Sequence, residues 1–300
     1  MKIMTLDLGG SSIKYALLDE ERRKLDSGKV PAPLSGLDEF YDTIVSLVPE
    51  DADGLAMSMP GAIDSENGIA ITGGSYQFIH EEPIVKTLQD KLGIPVWAGN
   101  DAKCAALAEV GYGALQDVSD AFCIILGTGI GGCVILDHQV RLGRHFSAGE
   151  ASFIVANNGY PLQFTHLWCM VNGAAGLLGF AQKYLDTQDK LSGEQIFDMA
   201  NHGDEKVLAA LDEFCYNVAN QIFNTQALLD MEKVAIGGGI SAQPLLLEKI
   251  NEQYLGLFEA IKVAPFPPIP IVACEFRNDA NLFGAYYSLV EKEKKHEFSK

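Results

Sequence analysis

The chemistry this chain can offer begins at Asp7. In LDLGGSSIKYALLD (6–19) a carboxylate and two glycines close one apolar run, and a second apolar run starts at once. An ordinary hairpin turn would join two strands without either feature. Glycine leaves backbone N–H groups open to close approach, and such groups bind phosphate oxygens. A second loop, GTGIGG from Gly127 to Gly132, fits G-x-G-x-x-G, but the dinucleotide-binding form of that pattern needs a helix to begin at the loop. Here the strand-like CVILD follows, and G-x-x-x-x-G-K-[ST] occurs nowhere, so neither a dinucleotide fold nor a P-loop is predicted. The two loops are either plain hairpin turns or a pair of glycine tips that face a phosphate. GGGIS (237–241), between a strand and a helix, adds a third cluster suited to a flat ligand or phosphate against the main chain.

Matching positions favour the phosphate reading. Laying Gly9 over Gly127 sets LGGSSIKYALLD on LGTGIGGCVILD, both opening Leu-Gly and both ending Leu-Asp, at Asp19 and Asp137. The chain therefore reads as two related halves. Two positions before the glycine stand Asp7 in one copy and Ile125 in the other, which assigns the acid to chemistry rather than to folding.

Alternating strands and helices must position these groups. Residues 2–8 and 13–18 read as strands, Leu37, Phe40, Ile44 and Leu47 have helical spacing, and GLAMSMP is a short buried strand. IPVWAGND (94–101) runs from strand to helix cap, because Asn100 and Asp101, each able to cap, precede the alanine-rich AKCAALAE. Residues 121–137 read as strand, glycine loop, strand, and the irregular stretch 138–172 is the place for specificity loops. Helices follow over 173–185, 192–203 and 204–230, then the strand KVAIGGGIS, a helix, the strand IPIVACEF and a last helix from Asn281. The pattern is α/β with at least partly parallel sheets. The terminal EKEKKHEFSK reads as a solvated helix end.

Three hundred residues at 48% hydrophobic predict two domains with well-buried cores. With 22 basic and 40 acidic residues the formal charge is −18, which argues against nucleic-acid and membrane partners while leaving room for a local anion site. Six scattered cysteines, none in C-x-x-C, predict reduced thiols, and MKIMTLDLGG has no basic leader, so the expectation is a soluble, cytoplasmic protein.

Together the motifs LDLGGSSIK, MPGAID, GNDAKCAALAE, LGTGIGG, AGEAS and IGGGIS, in that order, resemble the ROK family of sugar kinases. The resemblance implies the duplicated actin- and hexokinase-like ATPase fold: two α/β domains, 1–115 and 116–300, around a deep cleft, with the last helix (281–300) packing back on the first. It implies MgATP and a sugar as small-molecule partners, and a homodimer. Asp101 is then the base that takes the sugar hydroxyl proton, and Asp7 holds Mg²⁺ through water, as suits a hard cation. Gly9, Gly10 and Ser11 would cradle phosphates from one side, and Gly127, Thr128 and Gly129 from the other. Lys14 either reaches a phosphate or is an exposed hairpin lysine. Gly237, Gly238 and Gly239 would border the adenosine, and Asn100, Glu150, Gly61, Gly74 and Ser75 would bind the sugar.

One motif departs from the family. Many members read G-E-x-G-H where this chain reads Gly149, Glu150, Ala151, Ser152, Phe153, so the histidine that would touch the sugar and ligate zinc is absent. His166 and Cys169 alone do not close a tetrahedral site, and no structural zinc is expected. An apolar Phe153 suits stacking on an aglycone or second ring, hence phosphorylation of the 6-hydroxyl of a β-glucoside. Glucose, fructose, allose and N-acetylmannosamine stay open. A sugar-responsive repressor would need a helix-turn-helix before the first loop, and Asp7 stands only six residues from the start, so that reading is not expected. A catalytically silent binding protein would have no use for both Asp7 and Asp101.

Overall fold

Short apolar runs bounded by glycine and polar residues fold here as sheet centres. In the computed structural model, which describes residues 1–157 and 159–297, the chain divides into two compact units. Unit one comprises Met1–Gln116, Leu142–Ala148 and Asn278–Lys300; unit two comprises Asp117–Arg141 and Gly149–Arg277.

Unit one is built on β1 (Ile3–Leu8), β2 (Ser12–Leu18), β3 (Lys24–Pro31), β4 (Gly54–Met59) and β8 (Val96–Asn100), in the order β3-β2-β1-β4-β8. β1 pairs antiparallel with β2 and parallel with β4, and β4 pairs parallel with β8, so the strands carrying Asp7 and Asn100 end on the same edge. Alternation sends one set of side chains to α1 (Leu37–Leu47) and α2 (Ile84–Leu92), through Phe40, Ile44, Leu55, Met57 and Leu88. The opposite face packs Ala16, Ala56 and Trp97 against Cys104 of α3 (Asp101–Tyr112) and Leu282, Ala285 and Leu289 of α9 (Ala280–Glu297). A small antiparallel sheet of β5 (Ile63–Asp64), β6 (Ile69–Thr72) and β7 (His80–Glu82) lies between β4 and α2 in the chain. β3 and this small sheet were not expected from the sequence. β3 is polar and largely exposed along its length, held by its ladder to β2 rather than by an apolar face.

Unit two repeats the plan. β9 (Ala121–Leu126), β10 (Ile130–Leu136), β11 (Gln139–Val140), β12 (Lys233–Gly237) and β13 (Ile271–Ala273) take the order β11-β10-β9-β12-β13, again an antiparallel hairpin beside parallel strands. Its core joins Phe122, Ile124 and Val234 to α5 (Ala174–Leu185), α6 (Gly193–Asn201), α7 (Glu205–Leu229) and α8 (Pro244–Ala260). Asp204 starts α7 by accepting from the N–H groups of Lys206 and Val207 at 3.0 and 3.1 Å. The stretch from 138 to 172 holds little regular structure: β11, two single-turn 3₁₀ segments and the one-turn α4 (Trp168–Asn172).

Among the described residues no helix is long and apolar enough to cross a membrane. The end read as a solvated helix continues α9 to Glu297; the side chains of 292 and 294–297 and residues 298–300 lie outside the described residues.

Candidate functional site

The two sequence-matched loops share one hydrogen-bond plan. At the first, the Gly9 N–H donates to the Ser12 carbonyl at 3.0 Å and closes the turn; at the second, the Gly127 N–H donates to the Gly129 carbonyl at 3.0 Å. The next two N–H groups of each loop, those of Gly10 and Ser11 and of Thr128 and Gly129, have no partner among the described residues. Each tip therefore offers two main-chain donors, the arrangement that binds an anion without a basic residue. Gly9 and Gly127 use theirs inside the turn. The loops differ by one residue, since Leu8 pairs with Ile13 but Leu126 pairs with Ile130.

Asp7 stands one residue before the end of β1, across from Lys14 on β2 and Ser58 on β4. Its Oδ1 accepts from Asn281 Nδ2 at 2.8 Å, and its Oδ2 lies 3.7 Å from Lys14 Nζ. The carboxylate keeps 14% of its surface, the lysine 43%. Lys14 thus sits beside Asp7, half-buried on the hairpin. A carboxylate held by an amide on one oxygen is of the type that suits a hard cation held through water. In unit two the equivalent position is Ile125, paired with Gly237; a Cβ on Gly237 would lie 2.8 Å from Ile125 Cδ1. The acid's counterpart is a packing residue.

Of the residues assigned to a sugar, Asn100, Asp101, Gly61, Gly74 and Ser75 lie in unit one and Glu150 in unit two. Asn100 caps α3, accepting from the Lys103 N–H at 3.2 Å, while its Nδ2 donates to the Gly61 carbonyl at 2.9 Å. Gly61 has φ +103, and a Cβ there would collide with the Thr72 carbonyl, so glycine is required. A Cβ on Gly74 would lie 2.8 Å from Pro60 Cβ, and one on Gly10 would lie 2.7 Å from Ser75 Oγ, so Ser75 packs on the first glycine loop. Asp101 opens α3, its Oδ1 accepting from the Ala102 N–H at 2.7 Å. Tyr76, fully buried, donates its hydroxyl to the Gly9 carbonyl at 2.9 Å. Burial and the Asp7 charge push the Tyr76 phenol up to about 12, so it remains a donor.

Unit two supplies a cavity of about 240 Å³ lined by Leu126, Gly127, Leu177, Leu191, Ile196 and Gly239. Nothing lies within 4 Å of a Cβ built on Gly239, and only the Gly129 carbonyl, at 4.0 Å, near one on Gly127. Both glycines thus border open space at the cavity. Gly238 instead lies against the Leu126 carbonyl, and Ser241 Oγ donates to the Gly238 carbonyl at 2.8 Å, which shapes the rim.

Glu150 is half-buried, with no partner for its carboxylate among the described residues. Phe153, three residues on, is 68% exposed. His166 Nδ1 accepts from the Gln163 N–H at 3.1 Å, Cys169 is a half-buried free thiol, and no group of three or more metal-ligating His, Cys, Asp or Glu occurs among the described residues.

Sequence reasoning passed over Asn281 and Tyr76. Asn281 lies 274 residues from the acid it orients and Tyr76 lies 67 from Gly9. Neither had a local signal beyond Tyr76's place in the glycine stretch TGGSY.

Two related α/β units, each a hairpin with a glycine tip beside parallel strands, define the duplicated hexokinase-like ATPase fold. A ROK family protein of Streptococcus pneumoniae TIGR4, solved in complex with sucrose, superposes with a TM-score of 0.87 at 28% identity, covering 98% of this chain and 100% of that one. The ROK family profile matches residues 3–293, and the chain belongs to that family. Similar named relatives are a β-glucoside kinase of Listeria monocytogenes, 27% identical over 99% of this chain and all of its own, and an N-acetyl-D-glucosamine kinase of Haemophilus influenzae, 30% identical over 88% of this chain and 92% of its own.

Proposed function

We propose that this chain is an ATP-dependent sugar kinase that transfers the γ-phosphoryl group of MgATP to a hydroxyl, the 6-hydroxyl, of a hexose or β-glucoside. The observation that carries the reading is the turn at the start of α3, where Asp101 opens the helix and Asn100 is held on the Gly61 carbonyl beside the Gly10–Ser75 contact. Phosphoryl transfer asks of a protein a proton acceptor, phosphate donors and orientation rather than covalent chemistry. Asp101 accepts the proton of the sugar hydroxyl as the oxygen attacks. Asn100 and Glu150 bind neighbouring hydroxyls with an amide and a carboxylate. The paired N–H groups of Gly10 with Ser11, and of Thr128 with Gly129, bind phosphate oxygens. Asn281 orients Asp7 toward the hydrated cation. Mg²⁺, when bound, neutralises charge on the phosphates. The apolar cavity beside Gly127 and Gly239 takes the adenine, with Gly237 and Gly238 at its rim.

The β-glucoside preference is supported by the exposed Phe153 next to Glu150 and by the names of the similar relatives. An aromatic ring open to solvent has apolar surface to cover a second ring. N-acetylmannosamine, fructose and allose are the alternative acceptors.

A coupled ADP-release assay over glucose, N-acetylmannosamine, N-acetylglucosamine, fructose, allose, cellobiose and gentiobiose tests the reading. Cellobiose or gentiobiose stimulates release most, and Asp101→Asn lowers the rate by roughly 10²-fold or more, the scale of a lost general base, while the variant melts like wild type. Stimulation by none of the sugars removes the kinase reading. Free glucose alone as substrate removes the β-glucoside preference.

A further inference from the structure

The cavity beside Gly127 and Gly239 lies wholly within unit two, and none of the residues that line it has a polar side chain. Apart from Gly127, Gly193 and Gly239, its walls are Ala174 and leucines and isoleucines. Such walls cover the faces of a flat ring. They carry no amide, hydroxyl or charge to read its edge, and binding sites that discriminate do so with a few placed polar groups.

What the main chain adds is donors. The N–H groups of Gly193, which opens α6, and of Gly239 have no partner among the described residues. A donor pairs with a ring nitrogen, and adenine and guanine both present N7 as an acceptor. The two bases differ at position 6, an amine in adenine and a carbonyl in guanine, and no side chain of the lining answers that difference. Space does not separate them either. A Cβ on Gly193 would meet only Ile240 Cγ2, at 3.9 Å, and one on Gly239 would meet nothing within 4 Å, so a ring substituent on that side has no wall against it.

We infer that the phosphoryl donor of this kinase is a purine nucleoside triphosphate of either base type, with GTP and ITP serving alongside ATP. This rests on the sugar-kinase reading and on the cavity as the base site. With GTP the γ-phosphoryl group passes to the sugar hydroxyl oxygen, the hydroxyl proton to Asp101, and GDP leaves. An apolar pocket separates ligands of similar shape by some tens of fold, whereas a site that hydrogen-bonds a substrate group rejects the analogue lacking it by about 10⁴-fold or more.

Calorimetric titration of the sugar-free protein with AMPPNP and with its guanosine and inosine counterparts, Mg²⁺ present throughout, reads the base site without requiring turnover. The three dissociation constants are expected to agree within about 30-fold, and Gly239→Val to weaken all three together by about tenfold or more. A wider preference for one base overturns the inference and leaves the kinase reading standing. Similar binding that Gly239→Val leaves unchanged puts the base outside this cavity and also overturns it. Should Gly239→Val fail to fold, Gly193→Val carries that comparison, with the same loss expected. Binding of none of the three overturns the cavity as a base site, and the inference with it. Sugar-stimulated turnover is then compared for ATP, GTP and ITP, with kcat/KM expected within the same range; activity with ATP alone overturns the inference. Analogues that bind alike while no sugar is phosphorylated remove the kinase reading, and GTP as donor with it.

Discussion

At the scale of single residues, the glycines sort into two kinds that a sequence cannot separate. Gly61 is glycine because its backbone conformation and the Thr72 carbonyl exclude a side chain; Gly239 is glycine with nothing near it. Gly239 also borders the cavity lined by Leu177, Leu191 and Ile196, which is what sets it apart from other uncrowded glycines such as Gly179. Gly239→Val enters that space, and its Cβ meets nothing within 4 Å. Calorimetric titration with AMPPNP should show nucleotide affinity down by roughly tenfold or more, about 1.4 kcal/mol per factor of ten, with melting unchanged. Undiminished binding would move the adenine away from the cavity lined by Leu177, Leu191 and Ile196.

At the scale of elements, α3 and α9 decide how unit one presents its acids. α3 begins with Asp101, and α9 brings Asn281 to Asp7 from the far end of the chain. The two helices approach so closely that a Cβ on Gly284 would collide with the Cys104 carbonyl and come within 3.1 Å of the Ala108 nitrogen. Both neighbours are helix backbone and cannot turn aside. Gly284→Ala is therefore expected to destabilise by about 3 kcal/mol, the upper end of the range for overpacking, read as a lower urea midpoint. Gly179→Ala on α5, where nothing lies within 4 Å, is the matched comparison and should stabilise by about 0.5–1 kcal/mol through helix propensity alone. Equal effects from the two substitutions would show that crowding between α3 and α9 is not what requires Gly284.

At the scale of the whole molecule, charge governs the response to acid. The hydrogen bond from Lys2 holds Asp51 below the ordinary aspartate value, that from Lys233 does the same for Asp117, and Ser35 lowers Glu39. A carboxylate lowered by folding contributes stability that is complete above its ordinary value, 3.8 for aspartate and 4.5 for glutamate, and that is lost as pH falls through the folded value. Urea midpoints should accordingly hold level from pH 7 to about 5 and decline below about 4. The three carboxylates are exposed, so added salt should flatten the decline. A midpoint that already drops between pH 7 and 5 would assign acid sensitivity to other groups.

Much of the site was legible because its signals are local or periodic. Glycine tips between apolar runs, the strand-to-cap step at Asn100 and Asp101, and the Leu-Gly to Leu-Asp echo each report on backbone geometry within a few residues, and the repeated strand order of the two sheets follows from them. The polar strand β3 was invisible because its hold is the ladder to β2, which leaves no hydrophobic alternation behind. Which donors stay open was likewise hidden: Gly9 and Gly127 look like their neighbours in sequence, yet each spends its N–H inside its own turn. By itself the sequence determined the secondary elements other than the polar β3 and the small sheet β5–β7, the duplication and the residue types of the candidate site. Only tertiary structure decided the pairings of Asn281 with Asp7 and of Tyr76 with Gly9. Each joins groups tens to hundreds of residues apart, and the energy of such a contact depends on separation in space, which no spacing along the chain records.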